Sequence, residues 1–103
     1  MSKNLYAVVG VWEMDASRWD EQQRSLHEQI VPMVSQTPCF VGGYWMGDQS
    51  DSKMYSTIIL EDEEAAQRFK AFVEGDSARE NRERFGVRNA SLTVVEVLAE
   101  AHR

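Results

Sequence analysis

The side chains that could do chemistry in this sequence are few and lie far apart. The only histidines and cysteine are His27, His102 and Cys39, and their spacing fits no metal-ligand pattern. A nucleophilic cysteine needs a base or a lowered pKa, and nothing beside Cys39 in the sequence provides either. His27 could act as a general base, although a solvated helix histidine fits the same position. With no phosphate loop or nucleophile elbow, we predict a protein without metal, flavin or haem.

Aromatic, methionine and serine side chains on two predicted strands give a richer signal. If Tyr44 lies opposite Ser56, strand alternation collects one set of residues on a single sheet face: Gly42, Tyr44, Met46, Met54, Ser56 and Ile58. Such a patch is compatible with a pocket for a flat apolar ligand, in which Tyr44 and Ser56 are the polar groups. An ordinary core filled by Tyr and Met fits equally well. The predicted ligand-binding residues are His27, Tyr44, Met46, Met54 and Ser56.

A group of arginines lies near the C-terminus and could receive an acidic ligand. Its members are Arg79, Arg82, Arg84 and Arg88. Glu80 and Glu83 lie between them, and mixed charges of this kind are typical of a solvated face. We therefore predict that all four arginines are exposed.

The segments that must hold these residues are apolar on both faces. The runs are LYAVVGVW at 5–12, MYSTIIL at 54–60 and LTVVEVLA at 92–99. An antiparallel sheet with one face in water should alternate apolar and polar residues instead. The two helices of this chain can cover one face of a sheet, so the other face needs a cover from outside. A second copy of the chain is the simplest cover, which predicts a homodimer with packed sheets.

The order of predicted elements is β-α-β-β-α-β. Strands are expected at 4–13, 40–46, 54–60 and 92–99, with a first helix capped by Asp15 and a second helix at 62–74 capped by Asp62. Pro32 should kink the first helix, and the glycine pair at 42–43 suggests a bulge. This is the ferredoxin-like α+β arrangement, a four-stranded antiparallel sheet with two helices on one face. We predict one domain over residues 1–103.

Charge and composition narrow the partners and the compartment. With 17 acidic against 11 basic residues, the net charge of −6 repels phosphate backbones and anionic lipids, so neither nucleic acid nor a membrane is an expected partner. The start MSKN lacks the apolar core of a signal peptide. A single cysteine cannot form an internal disulfide, which favours a reducing cytoplasm. We expect a cytoplasmic protein.

Two segments resemble a known group of proteins. The residues PCFVGGYW at 38–45 and the strand-to-helix junction LEDEEAA at 60–66 look like the antibiotic-biosynthesis-monooxygenase-like branch of the dimeric α+β barrel superfamily. The resemblance implies that two protomers pack their sheets together. It also implies a pocket between sheet and helices for a small apolar or aromatic ligand. Some members oxygenate polycyclic phenols without a cofactor, and others degrade haem.

The residues that act in those members are not matched here. Where the quinone-forming type has Asn, Trp and Tyr, the alignment of the junction places Ser56, Leu60 and Ala66. The haem-degrading type has Trp and His on or near the second helix, and the segment 62–74 contains neither. No catalytic residue is therefore carried over. Two functions stay open: a cofactor-independent monooxygenase-like protein that binds an aromatic or polyketide-like molecule, or a non-catalytic ligand-binding or dimerisation module.

Overall fold

The computed structural model describes residues 4–103, and the tripeptide 1–3 lies outside that part. Its four strands are β1 (Tyr6–Glu13), β2 (Phe40–Asp48), β3 (Lys53–Leu60) and β4 (Arg88–Glu96). They form one antiparallel sheet in the order β2-β3-β1-β4. The helices between them complete the predicted ferredoxin-like α+β fold.

The first helical region has three parts after a short 3-10 turn at Ala16–Arg18. These are α1 (Trp19–Ser25), a π-helical turn (Leu26–Ile30) and α2 (Val31–Ser35). Asp15 caps the region as predicted, since its Oδ1 accepts hydrogen bonds from the Ser17 N–H at 3.0 Å and from the Ser17 hydroxyl at 2.6 Å. The π-helical turn lies directly before Pro32. Proline has no N–H to donate, and its ring crowds the preceding turn of a regular helix. The wider π-helical turn relieves this crowding and stands where the sequence predicts a kink.

The second helical region also differs from the prediction in one respect. Helix α3 (Glu63–Glu74) is capped as expected, because the Asp62 Oδ1 accepts from the Ala65 N–H at 2.8 Å. Gly75 ends α3, and α4 (Asp76–Arg84) begins at once, two residues before the short helical stretch that the sequence suggests at 78–85. The last strand also starts four residues earlier than the predicted 92 and ends at Glu96.

The pairing of β2 with β3 corrects the predicted register. Trp45 lies opposite Ser56, and Tyr44 lies opposite Thr57. The predicted pair Tyr44 with Ser56 is therefore wrong by one residue. The bulge suggested by the glycines is present, as a register shift between Phe40 and Gly42. Side chains alternate along a strand, so this shift of one residue places Tyr44 and Met46 on the face of the sheet opposite to the predicted one.

The face of the sheet towards the helices carries the core. Val8, Ile58 and Leu60 are buried there against the α3 residues Ala66 and Phe69. A second cluster consists of Trp12, Leu26 and Met54. Burial of these side chains fixes the helices on this one face.

The other face of the sheet, which we call the outer face, is also apolar. It carries the alternate residues of the strands, among them Val9, Val11, Tyr44, Met46, Tyr55 and Val95. Tyr44 is 73% exposed, and Met46, Tyr55 and Val95 are exposed as well. No helix of residues 4–103 covers this face, which agrees with the strand pattern that is apolar on both sides.

Candidate functional site

A cavity of about 420 Å³ lies between the sheet and the helices. Its floor includes Trp12 and Trp45 from the strands, and its walls include Leu26, Ile30 and Phe69 from the helices. The volume falls in the range of about 300–1,000 Å³ that is usual for ligand pockets, and most of the lining is apolar. The space under the helices is therefore open, which the sequence did not settle.

Only part of the predicted ligand-binding set reaches this cavity. Met54 and Ser56 line it. Tyr44 and Met46 do not, because the one-residue change of register places both on the outer face. His27 does not either: it is exposed on the π-helical turn, while the preceding residue Leu26 faces the cavity.

Trp12 and Ser56 form a buried polar pair on the cavity floor. The Trp12 Nε1–H donates to the Ser56 Oγ at 2.9 Å. Gly10 makes room for this pair, because a Cβ at that position would lie 2.7 Å from Trp12 Nε1 and 2.9 Å from Ser56 Oγ. Ser56 is the acceptor of this bond, so its own hydroxyl proton can donate to another group in the cavity.

Gln22 on α1 presents an unsatisfied acceptor. Its side chain is 3% exposed and lines the cavity. The Nε2 donates to the Phe85 carbonyl at 2.7 Å. This bond fixes the orientation of the amide, because two carbonyl oxygens cannot bond to each other. The Oε1 is buried without a hydrogen-bond partner, and it is the only such side-chain atom among residues 4–103. Burial of an unpaired polar atom costs about 1–3 kcal/mol.

Arg82 on α4 reaches towards the cavity instead of into solvent. Its guanidinium carbon lies 5.2 Å from the centroid of the Trp12 ring, and its Nη1 donates to the Val73 carbonyl at 2.8 Å. Its predicted exposure is therefore wrong: Arg82 is half-buried, whereas Arg79, Arg84 and Arg88 are exposed. Burial lowers the pKa of Arg82, and the group still stays charged at neutral pH.

The two candidate nucleophile or base residues lie elsewhere. His27 is in solvent, and Cys39 is half-buried at the entrance to β2, outside the cavity lining. Partial burial and the carboxylate of Glu61 raise the pKa of the Cys39 thiol, so the thiol stays protonated at neutral pH. Among residues 4–103, no three His, Cys, Asp or Glu side chains come together in a way that could hold a metal ion. In the same part of the chain, no helix is both long and apolar enough to cross a membrane.

Sequence reasoning missed Gln22 and Trp45 and assigned Arg82 to a solvated face, although Gln22 and Arg82 each carry a signal. Gln22 falls three residues after Trp19 and four before Leu26, inside the apolar stripe of the first helix. A polar residue in such a stripe points inward. Arg82 similarly lies between Ala78 and Phe85 at helical spacing. Trp45 gives no such signal, because β2 is apolar at both phases.

Comparison with known proteins identifies the fold of this chain but not its activity. No protein-family model matches the sequence, and no curated protein matches it. The heme-degrading protein Rv3592 from Mycobacterium tuberculosis matches with a TM-score of 0.67 and 17% identity, covering 99% of this chain and 100% of that one. A monooxygenase of Streptomyces coelicolor from the gene ActVA-Orf6, in complex with Nanaomycin D, matches at 0.64 and 14%, covering 98% and 91%. A dimeric ferredoxin-like protein from an uncultured marine organism matches at 0.67 and 11%, covering 96% and 99%.

These likenesses confirm the predicted resemblance at the level of the fold. The chain has the ferredoxin-like fold that monooxygenase-like proteins and heme-degrading proteins share. At such low identities the substrate and the reaction do not follow from the fold, because function belongs to the residues of the site.

Proposed function

We propose that the protein binds a small, flat and mostly apolar molecule with a hydroxyl group in the cavity between sheet and helices. The observation that carries this proposal is Gln22, a residue that lines the mostly apolar cavity and whose buried Oε1 has no hydrogen-bond partner. A hydroxyl donor on a ligand would satisfy that oxygen and relieve the cost of its burial.

The shape of the lining favours an aromatic or polyketide-like molecule. Trp12, Trp45 and Phe69 offer ring surfaces against which a flat molecule can pack. Each square ångström of apolar surface that the ligand buries contributes roughly 25 cal/mol. The polar groups available to the ligand are Gln22 and Ser56, which line the cavity. Gln22 replaces Tyr44, which the sequence predicts together with Ser56 in this role.

Oxygenation of the bound molecule without a cofactor is the second candidate function. It is favoured by the fold shared with the Streptomyces coelicolor monooxygenase. Two of the three residues at the matched positions speak against it: Leu60 and Ala66 are fully buried in the core and do not line the cavity, whereas Ser56 does. Binding without catalysis is therefore the function that the site supports best. Oxygen consumption upon addition of a bound ligand would favour the second candidate.

We also propose that the protein works as a homodimer of single-domain chains, with the two outer faces packed together. The apolar outer face supports this, and one protein of the same fold is described as dimeric. An obligate interface of this kind buries of order 2,000 Å². The cytoplasmic location and the lack of nucleic-acid partners stay predictions.

Isothermal titration calorimetry with 2-naphthol tests the binding proposal. Ala78 is half-buried on α4 and lines the cavity, so Ala78→Trp should fill it and weaken binding by about tenfold or more, which corresponds to a loss of about 1.4 kcal/mol. Ala71→Trp is the matched control, because Ala71 is exposed on α3 and outside the cavity lining. Its affinity should equal that of the unmodified protein. Failure of 2-naphthol to bind, or equal binding by the Ala78→Trp variant, would contradict the proposal.

A further inference from the structure

Arg82 holds a positive charge beside the cavity and forms no ion pair within the described residues, although the carboxylate of the adjacent Glu83 is near enough to interact with it electrostatically. Its known contacts are the Trp12 ring and the Val73 carbonyl, neither of which carries a formal charge. A guanidinium group has five N–H donors, and the bond to Val73 uses one of them. The group therefore lies at the cavity with donors to spare.

The other arginines of the described chain fall into two groups that differ from Arg82. Some form surface ion pairs, as Arg79 does with Asp76 at 2.9 Å and Arg68 does with Glu64 at 2.7 Å. Arg84 has no ion pair and also lines the cavity, but it is exposed to solvent, as is Glu80, the one acidic residue of the lining. Within residues 4–103, Arg82 is the one arginine that is partly buried and forms no ion pair.

A negatively charged group on the ligand is the natural complement of this arrangement. A guanidinium binds a carboxylate through two parallel hydrogen bonds, which are stronger than bonds between neutral groups. The net charge of −6 gives the protein no general attraction for anions. Any preference for an acid over a neutral molecule of the same shape would thus come from a local group.

We propose that Arg82 makes the cavity selective for aromatic acids, that is, flat hydroxylated molecules that carry a carboxylate. This inference rests on the proposed binding function and specifies the class of its ligand. In this arrangement the apolar body of the ligand lies among the aromatic rings, its hydroxyl donates to Gln22, and its carboxylate accepts from Arg82.

Two probes of nearly the same shape test the inference at neutral pH. The first is 2-naphthol, which is neutral, and the second is 6-hydroxy-2-naphthoic acid, which carries a carboxylate. Calorimetry should show that the unmodified protein binds the acid about tenfold tighter than the naphthol, as expected for a charge-assisted bidentate contact. This comparison needs no variant and therefore does not depend on how well a variant folds.

Three substitutions assign the preference to Arg82. Arg82→Gln should bring the ratio of the two affinities to about one, and Arg82→Lys should keep part of the preference, because lysine retains the charge without the paired N–H donors of a guanidinium. Arg79→Gln is the matched control on the exposed side of α4 and should keep the whole preference. Equal affinities for the two probes in the unmodified protein, or a preference that survives in Arg82→Gln, would overturn the inference and leave the binding function intact. If neither probe binds, both the binding function and the inference fail.

Discussion

Replacement of Gln22 by methionine separates the role of this residue in folding from its role in binding. The two side chains have similar length, and methionine adapts well to buried apolar surroundings. The substitution removes an amide that donates to the Phe85 carbonyl at 2.7 Å and whose oxygen has no partner. The two losses act on stability in opposite directions.

In the empty protein these two effects nearly cancel. Removal of the unpaired oxygen relieves about 1–3 kcal/mol, and exposure of the Phe85 carbonyl to an apolar neighbour costs about as much. The free energy of unfolding should therefore change by less than about 1 kcal/mol. With a hydroxylated ligand bound, the balance is different, because the ligand hydroxyl loses its acceptor in the variant. A loss of about 1–3 kcal/mol weakens binding by roughly 5-fold to 150-fold.

The assay compares 2-naphthol with 2-methylnaphthalene, in which a methyl group replaces the hydroxyl. Quenching of tryptophan fluorescence reports binding, and urea unfolding reports stability. Gln22→Met should weaken the binding of 2-naphthol and leave the affinity for 2-methylnaphthalene equal or higher. The neighbouring Gln23→Met, outside the cavity lining, is the control and should change neither affinity. If Gln22→Met weakens both probes equally, or leaves 2-naphthol unaffected, the assignment of Gln22 as the ligand's acceptor is wrong.

Three further predictions concern packing, assembly and capping. Gly10→Ala should lower the free energy of unfolding in urea by about 1–3 kcal/mol, because the added Cβ would lie 2.7 Å from Trp12 Nε1. An unchanged midpoint of urea unfolding would contradict this and show that the indole can move. Tyr55→Lys on the outer face should raise the dimer dissociation constant in sedimentation equilibrium by about a hundredfold or more, since an unpaired buried charge costs several kcal/mol. A monomeric unmodified protein at low micromolar concentration would refute the dimer itself. Asp62→Ala should lower stability by about 1 kcal/mol through loss of the hydrogen bond from the Ala65 N–H, and a loss of helicity by circular dichroism should accompany it.

The elements of the fold could be predicted from local signals because each signal acts over a few residues. Asp15 and Asp62 begin helices where their carboxylates can accept backbone N–H groups, and both caps are present. The glycine pair after Val41 marks the bulge for a similarly local reason. The apolar runs on both faces also predicted a sheet with an outer apolar face.

The composition of the candidate site could not be predicted in full, because it depends on which face each strand presents. In β2 the residues at both phases are large and apolar, so Tyr44 and Trp45 were equally plausible as cavity residues. Hydrophobic alternation normally settles the register, and here that signal is absent. The inward direction of Arg82 is likewise a tertiary effect, since it depends on how α4 packs beside Trp12.

The π-helical turn at Leu26–Ile30 has a consequence for changes in chain length. Gln22, Leu26, Ile30 and Val34 all line the cavity at intervals of four residues. In a regular α-helix of 3.6 residues per turn, three such steps would rotate Val34 by about 120° from Gln22. The wider turn takes up part of this rotation and keeps the two ends of the helix in phase. Deletion of one residue from the turn would restore the regular helix and swing the Gln22 amide away from the cavity. Many single substitutions at exposed positions such as His27 should be harmless by comparison, so homologues with this site should conserve the length of the turn more strictly than its sequence.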